Sequence, residues 1–324
     1  MLKKIVSLVI ILALTLGLTA CGSDTGNDSG AEAEKTLTIA YQNGIGYAPI
    51  HIMEAKKLIE SNYSGKVTVK FVKLDSGAAI NEGIIGGTID IGCMGTAPAI
   101  SGVVAGIPYK CMANLTSQPS GLMTNKAEIK SLNDITSEDK VALINFGSIQ
   151  HIMLAMAAEK YLGDAHALDN NIAAMSHVEG MAALESGTVA LHLTSSPYIG
   201  QERADSRYTE LPEVADVCPP GNTFLVAMGS TKLAEDKELF NAVLKAFEQA
   251  SDILTNNKDE AADIEAQYLS IDKATALNNL NDPLCTYDKE LKGVKNVVEF
   301  MFRAGFITNE LNFDDFKFTE VAGD

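Results

Sequence analysis

Two passages of this chain carry the same signals in the same order: E-G-I-I-G-G-T-I-D-I-G-C-M-G-T-A-P (82–98) and A-A-L-E-S-G-T-V-A-L-H-L-T-S-S-P (182–197). Each reads as a helix, a glycine that stops it, a threonine, a short apolar strand, small polar residues and a proline. Such a recurring unit is what two lobes of like topology show, and the pattern predicts them here.

The flanking signals alternate in the same way. T-L-T-I-A-Y (36–41) reads as a strand, Q-N-G-I-G-Y-A-P (42–49) as a glycine-rich loop, H-I-M-E-A-K-K-L-I-E (51–60) as a helix and K-V-T-V-K-F-V-K-L (66–74) as a half-buried strand. P-A-I-S-G-V-V-A-G (98–106) and P-Y-K-C-M-A-N-L (108–115) repeat helix then strand. A second series contains the strand K-V-A-L-I-N-F (140–146), a helix over 149–162, a strand around N-I-A-A-M (171–175), the helix E-G-M-A-A-L-E-S-G (179–187) and the strand T-V-A-L-H-L-T (188–194). Such alternation predicts α/β lobes with largely parallel sheets. From G-N-T-F-L-V-A-M-G-S (221–230) the chain re-enters strand and then turns mostly helical, with apolar faces at helical spacing over 239–254 and 294–306. Those helices are expected on the first lobe, with crossings near 118–124 and 218–223. Lobe 1 is then 36–120 and 222–324, and lobe 2 is 121–221.

The chain opens with M-L-K-K, an apolar run over 5–17 and the small residues L-T-A-C (18–21). A basic start, a run short for a membrane span and a processing site make an export leader over 1–20, with an uncleaved anchor helix as the alternative. Leu18-Thr19-Ala20-Cys21 resembles the bacterial lipobox, which implies that Cys21 is acylated. Residues 21–35 are small, polar and acidic, the composition of a flexible tether. On this reading a lipid anchor holds the folded part at the extracytoplasmic face of the cell membrane. Forty-two acidic residues against 25 basic ones give a net charge of -17, which repels phosphate backbones and excludes nucleic acid as a partner. Cys93, Cys111, Cys218 and Cys285 are widely spaced and form no C-x-x-C, so they read as free thiols. The five histidines show no metal spacing, and neither metal nor cofactor is expected.

Ligands of open α/β sheets sit beyond the carboxyl ends of strands, where helix N-termini offer unpaired N–H donors. Four turns of this chain are expected there: Asn43, Gly44, Gly46 and Tyr47; Gly95 and Thr96; Phe146, Gly147, Ser148, Gln150 and His151; and Ser195, Ser196 and Tyr198. Alone, Gly147-Ser148 reads as a helix cap; four such turns on one rim read as a binding face. His151 is placed either to reach a ligand or to serve structure. Ser176 or Glu179 beside His177 reads as a cap, His192 as a core residue, and His51 and His166 as ordinary helix or surface residues. Tyr47, Phe146 and Tyr198 are placed to wall a ligand, and Tyr41 reads as core. Arg203, Arg207 and Arg303 are the only arginines and none lies in a turn, so no guanidinium clamp on a carboxylate is expected.

Together L-T-I-A-Y-Q-N-G-I-G-Y-A-P, F-V-K-L-D-S-G-A-A-I-N-E-G-I-I-G-G-T-I-D-I-G-C-M-G, N-F-G-S-I-Q-H and L-E-S-G-T-V-A-L-H-L-T-S-S-P-Y resemble the nitrate/sulfonate/taurine class of periplasmic-type solute-binding proteins, from about residue 36 onward and including V-E-F-M-F-R-A-G-F-I. The resemblance implies an α/β fold, a two-lobe periplasmic-binding-protein-like (type II) clamshell in which each lobe is a mostly parallel sheet flanked by helices. It implies a monomer that closes on a small solute and delivers it to the transmembrane permease subunits of an ABC importer. By position it places the ligand loops on Gly44 to Tyr47, Gly95 to Thr96, Gly147 to His151 and Ser195 to Pro197. Members often carry an aromatic where this chain has Thr194-Ser195-Ser196, and L-H-L-T-S-S-P looks more like the taurine-type branch. A sulfonate or taurine-like solute is therefore favoured, with a heteroaromatic vitamin precursor as the second expectation.

An extracytoplasmic enzyme of the same fold is the rival of another class. Ser148 with His151, or His177 with Glu179, can be drawn as catalytic pairs. No G-x-S-x-G elbow or orienting third residue accompanies them, and the cysteine-rich iron motif of a related pyrimidine-making protein is missing. No catalytic residue is expected.

Overall fold

The computed structural model describes residues 34–323. The expected leader, most of the tether and Cys21 lie outside the described residues. Along the chain the strands are β1 (Lys35–Tyr41), β2 (Val67–Lys73), β3 (Ile91–Gly95), β4 (Tyr109–Thr116), β5 (Ser120–Thr124), β6 (Val141–Leu143), β7 (Ile172–Ala174), β8 (Leu191–Ser195), β9 (Thr209–Leu211) and β10 (Leu225–Ser230). They form two sheets, ordered β2-β1-β3-β10-β4 and β7-β6-β8-β5-β9. In the first, β2, β1 and β3 pair in parallel while β10 runs antiparallel to β3 and β4. In the second, β7, β6 and β8 are parallel while β5 runs antiparallel to β8 and β9. The two sheets thus share one topology, each mostly parallel with one reversed strand.

The helices are α1 (Ala48–Ala55), α2 (Leu58–Asn62), α3 (Gly77–Ile85), α4 (Thr96–Val104), α5 (Ile149–Leu162), α6 (His177–Ser186), α7 (Tyr198–Ala204), α8 (Pro212–Val217), α9 (Lys237–Asn256), α10 (Lys258–Leu269), α11 (Lys273–Leu280), α12 (Val294–Arg303) and α13 (Phe313–Phe316). The two matching passages occupy equivalent places, α3 into β3 and α6 into β8, the third strand of each sheet. Both helices end in the same hydrogen-bonded turn. Thr88 N–H donates to Gly83 O at 3.0 Å around Gly87 (φ 68°), and Thr188 N–H to Ala183 O at 2.9 Å around Gly187 (φ 74°). A residue with left-handed φ closes this motif with least strain when it is glycine, which is why a glycine precedes each threonine.

Several elements differ from the sequence reading. The helix expected over 51–60 is two helices, because Lys57 takes φ 50° and turns α2 so that Leu58 and Ile59 face inward, as Ile50, Ile52 and Met53 do in α1. The strand expected over 140–146 keeps only Val141–Leu143, since Ile144–Phe146 already belong to the turn that opens α5. His51 is no surface residue: at 1 % exposure its Nδ1 meets the Glu265 carboxylate at 2.9 and 3.0 Å, and its ring stacks on Tyr268 at 4.5 Å. Burial raises the Glu265 carboxyl, and His51 opposes that rise. The four described cysteines are free, and burial pushes the Cys285 thiol up to about 11.

The chain passes from the first sheet to the second through Ser117–Pro119, between β4 and β5, and returns between α8 and β10. The two crossings are tied together, for Gly221 N–H donates to Ser117 Oγ at 3.0 Å. The long amphipathic α9 then packs on α1 and α2, and α12 on α4, covering the first sheet.

One close contact tests the packing of α4. A Cβ on Gly102 would stand 1.7 Å from the Tyr109 hydroxyl oxygen, which lies 3.0 Å from Asn81 Oδ1 and 3.1 Å from Ala99 O as donor. Gly102→Ala is expected to cost about 1–3 kcal/mol as an overpacked site, read as a lower urea midpoint, and Tyr109→Phe in the same chain should recover part of it. An unchanged midpoint for Gly102→Ala would show that the tyrosine yields freely.

Candidate functional site

The carboxyl ends of β1, β3, β6 and β8 converge on a cavity of about 300 Å³ between the two sheets and their helices. The first lobe contributes the turn after β1, the end of β2 and the start of α4. The second lobe contributes the turns that open α5, α6 and α7. Of the residues expected from sequence, Asn43, Gly44, Gly46, Tyr47, Gly95, Phe146, Gly147, Ser148, Gln150, Ser195, Ser196 and Tyr198 line the cavity. Thr96 and His151 do not. Thr96 N–H is taken by Phe224 O at 3.1 Å and its side chain is fully buried. His151 sits behind its turn, where Nδ1 accepts from Gly147 N–H at 2.9 Å.

The turn at 145–148 shows why these residue types stand there. Gly147 adopts φ 77°, and Ser148 caps α5 by accepting from His151 N–H at 3.2 Å. The cap uses a lone pair of Ser148 Oγ and leaves its O–H for the cavity. At the start of α5 the N–H groups of Ile149 and Gln150 have no intrahelical acceptor, and they carry the positive end of the helix dipole. α6 repeats the arrangement with a capping box: Ser176 Oγ accepts from Glu179 N–H while Glu179 Oε2 accepts from Ser176 N–H at 2.9 Å.

Gln118, Lys73, Asp75 and Asn145 carry no signal in the sequence, and His177 reads there only as a capping neighbour or as half of a catalytic pair with Glu179; all five line the cavity. Gln150 Nε2 donates to His177 Nε2 at 3.2 Å, which leaves the ring proton on Nδ1, facing Thr194 Oγ1 at 2.9 Å. Enclosure of the ring, with His192 beside it, pushes His177 down to about 3, so it presents a neutral imidazole. Behind it His192 Nδ1 meets Glu202 Oε1 at 2.6 Å, both fully buried. The amide of Gln118, on the first crossing, lies over Gly46, where a Cβ would come within 2.5 Å of its Oε1. No sequence signal marks a crossing residue as a wall of the cavity.

Charge in the cavity is sparse. Its lining includes Lys73 and Asp75 but none of the three arginines. Lys73 Nζ donates to Asn43 Oδ1 at 3.3 Å, and Asn43 Nδ2 donates across the cavity to Tyr198 OH at 3.3 Å. Tyr198 also lies 5.6 Å from the His177 ring, and Phe146 is 54 % exposed at the mouth. Among the described residues no group of three or more His, Cys, Asp or Glu side chains is arranged to hold a metal. The arrangement suits hydrogen-bonded capture of a small polar solute.

Known proteins fit this geometry. The model of the NMT1-like family matches residues 30–270. The "Putative aliphatic sulfonates-binding protein" of Bacillus subtilis is 24 % identical over 318 residues, covering 95 % of this chain and 93 % of that protein. Among solved structures, the periplasmic aliphatic sulphonate binding protein SsuA of Escherichia coli superposes with a TM-score of 0.68 at 18 % identity, over 89 % of this chain and 93 % of that one. The alkanesulfonate-binding protein SsuA of Xanthomonas axonopodis pv. citri, bound to MOPS, gives 0.70 at 17 % identity, over 86 % and 96 %. These structures establish the two-lobe periplasmic-binding-protein fold.

Ser148 separates the two roles of its hydroxyl. Ser148→Ala is expected to lower stability by about 1 kcal/mol through the lost cap, whereas Ser148→Gly should lower it by only a few tenths. Both remove the hydroxyl from the cavity and should weaken solute binding by about 1 kcal/mol, measured by calorimetry. Native affinity in Ser148→Gly would reduce Ser148 to a cap alone.

Proposed function

Because the chain belongs to the NMT1-like family, whose model spans most of its described residues, we propose that it is the extracytoplasmic solute-binding component of an ABC importer. A small organic solute docks in the cavity, the lobes close by rotation at the two crossings, and the loaded protein delivers it to the permease subunits. The observation that carries this reading is the convergence of helix starts from both lobes on one largely uncharged cavity. Water excluded on closure strengthens hydrogen bonds from those ends and from Ser148, Gln150, Asn145 and Ser195.

A sulfonate, taurine-like solute fits best. Its three oxygens, set around a tetrahedral sulfur, accept from several N–H and O–H donors at once, and Lys73 adds a cation at the edge. The curated relative and the MOPS-bound neighbour support the same chemistry, since MOPS is itself a sulfonate. Phe146 and Tyr198 favour a second reading, a flat heteroaromatic vitamin precursor held between rings. No catalytic role is proposed: Ser148 caps α5, His151 turns away from the cavity, and Glu179 is committed to its capping box.

Acylated at Cys21 and tethered by 21–35, the folded part works as a monomer on the outer face of the membrane. No helix of the described residues is long and apolar enough to cross a membrane.

The test is melting temperature of the purified protein against taurine, ethanesulfonate, MOPS, nitrate and pyrimidine vitamin precursors. A ligand at a hundredfold excess over its dissociation constant adds about 2.7 kcal/mol of stability. Stabilisation by the sulfonates and not by the pyrimidines is the expected result. Stabilisation by pyrimidines alone would move the assignment to the heteroaromatic reading, and product formed from any bound compound would overturn capture without catalysis.

A further inference from the structure

The groups behind the turn at 145–148 continue to the other lobe. Gly147 N–H donates to His151 Nδ1 at 2.9 Å, so that nitrogen carries no proton, and His151 Nε2 donates to Asp169 Oδ1 at 3.1 Å. The other carboxylate oxygen, Asp169 Oδ2, lies 2.8 Å from His166 Nδ1, and His166 Nε2 donates to the backbone carbonyl of Ala304 at 2.9 Å. His151, His166 and Asp169 stand with the second sheet. Ala304 ends α12, which packs on α4 beside the first sheet. Phe306 fills the angle between them, its ring 5.2 Å from His151 and 4.8 Å from His166.

Both nitrogens of His166 face acceptors, an arrangement that only the imidazolium satisfies. The Ala304 carbonyl and then the Asp169 carboxylate hold its pKa above the ordinary histidine value, and Asp164, whose Oδ1 accepts from His166 N–H at 2.9 Å, adds to the rise. Beside Ala304, Arg303 pairs with Glu159 at 2.7 Å, and Glu299 also acts on it. Because the folded pKa is raised, the stabilisation is complete below the ordinary histidine value and is lost as pH rises through the raised one.

We propose that His166, Asp169 and His151 form a relay through which the lobe–lobe contact at Ala304 fixes the turn at Gly147. His166 and Asp169 are then positioning residues of the binding site, though neither lines the cavity. The relay holds Gly147 at its left-handed φ and so keeps Ser148 and the first N–H groups of α5 aimed inward when the lobes are together. This inference rests on the turn being a ligand cradle, but its test uses no ligand and stands or falls independently of which solute is captured.

The measurement is the exchange rate of the Gly147 amide hydrogen, by NMR of the 15N-labelled, ligand-free protein. His166→Ala, at the far end of the relay, should speed that exchange at least tenfold while amides of β3 and β8 keep their protection. Arg303→Ala, which breaks the neighbouring lobe–lobe ion pair without touching the relay, should leave it unchanged. In the native protein, exchange corrected for its intrinsic pH dependence should accelerate as His166 loses its proton. Asp169→Asn keeps each hydrogen bond with neutral partners, so its Gly147 amide should stay protected and lose the pH dependence. Unchanged exchange in His166→Ala, an equal rise in Arg303→Ala, or a retained pH dependence in Asp169→Asn would each overturn the relay.

Discussion

Each sheet is completed by a strand that arrives across the boundary between lobes, and the rest of the structure depends on that exchange. β10, the first strand after the return crossing, pairs from Leu225↔Gly95 to Gly229↔Ile91 on one side and from Leu225↔Thr116 to Ser230↔Tyr109 on the other. β5, the first strand after the outward crossing, fills the same place between β8 and β9. Without these strands β3 and β4, and likewise β8 and β9, would face each other with unpaired buried backbone groups, a cost the native chain avoids. The crossings are therefore pinned at both ends, and the Gly221–Ser117 bond holds them side by side. Gln118, Phe224 and Leu225 wall the cavity because the crossings pass its floor.

The distance between the lobes at the cavity is set by missing side chains. A Cβ on Gly95 would come within 2.9 Å of Ile149 Cγ2, so the end of β3 meets the start of α5 only as glycine. The glycine that ends β3 thus has a different reason from Gly147, whose φ of 77° serves the turn and whose Cβ would meet open space. In sequence the two look alike, a glycine after an apolar run.

That difference marks what was legible in the sequence. The repeated helix–Gly–Thr–strand passage announced two lobes of one topology because its parts are local: a Schellman turn and a strand joined within a few residues. The turns at 43–47, 146–148 and 195–198 were legible for the same reason, since cap and glycine requirements act over neighbours. His177, Gln118 and Lys73 were not, because they reach the cavity through packing of elements distant in sequence. His151 was placed at the correct turn but on its wrong side. A helix residue three positions from the cap can face either way, and the Gly147 N–H, freed by its φ, drew the ring backward. His166 reads as a surface residue and is one, its side chain 47 % exposed; what the sequence does not show is its bond to Ala304, 138 positions on.

The cavity's chemistry and its lobe contacts point to the same economy. The side-chain bond that spans it, Asn43 to Tyr198 at 3.3 Å, is exposed and long, so it contributes little to holding the lobes together. The ion pair between Arg303 and Glu159 is likewise on the surface, where such pairs are worth about 0–1 kcal/mol. The lobes meet instead through packing, Ile149 against Gly95 and Phe306 against His151 and His166, and through the His166–Ala304 bond. On the proposed function, a solute accepting from Ser148 and the α5 terminus on one side and from the β1 turn on the other would favour the closed arrangement by the difference in its affinity for the two. A cluster of arginines would have given stronger grip and a slower release. Neutral donors aimed by helix ends, with a single lysine at the edge, give a grip that depends on geometry, and geometry is lost when the lobes separate.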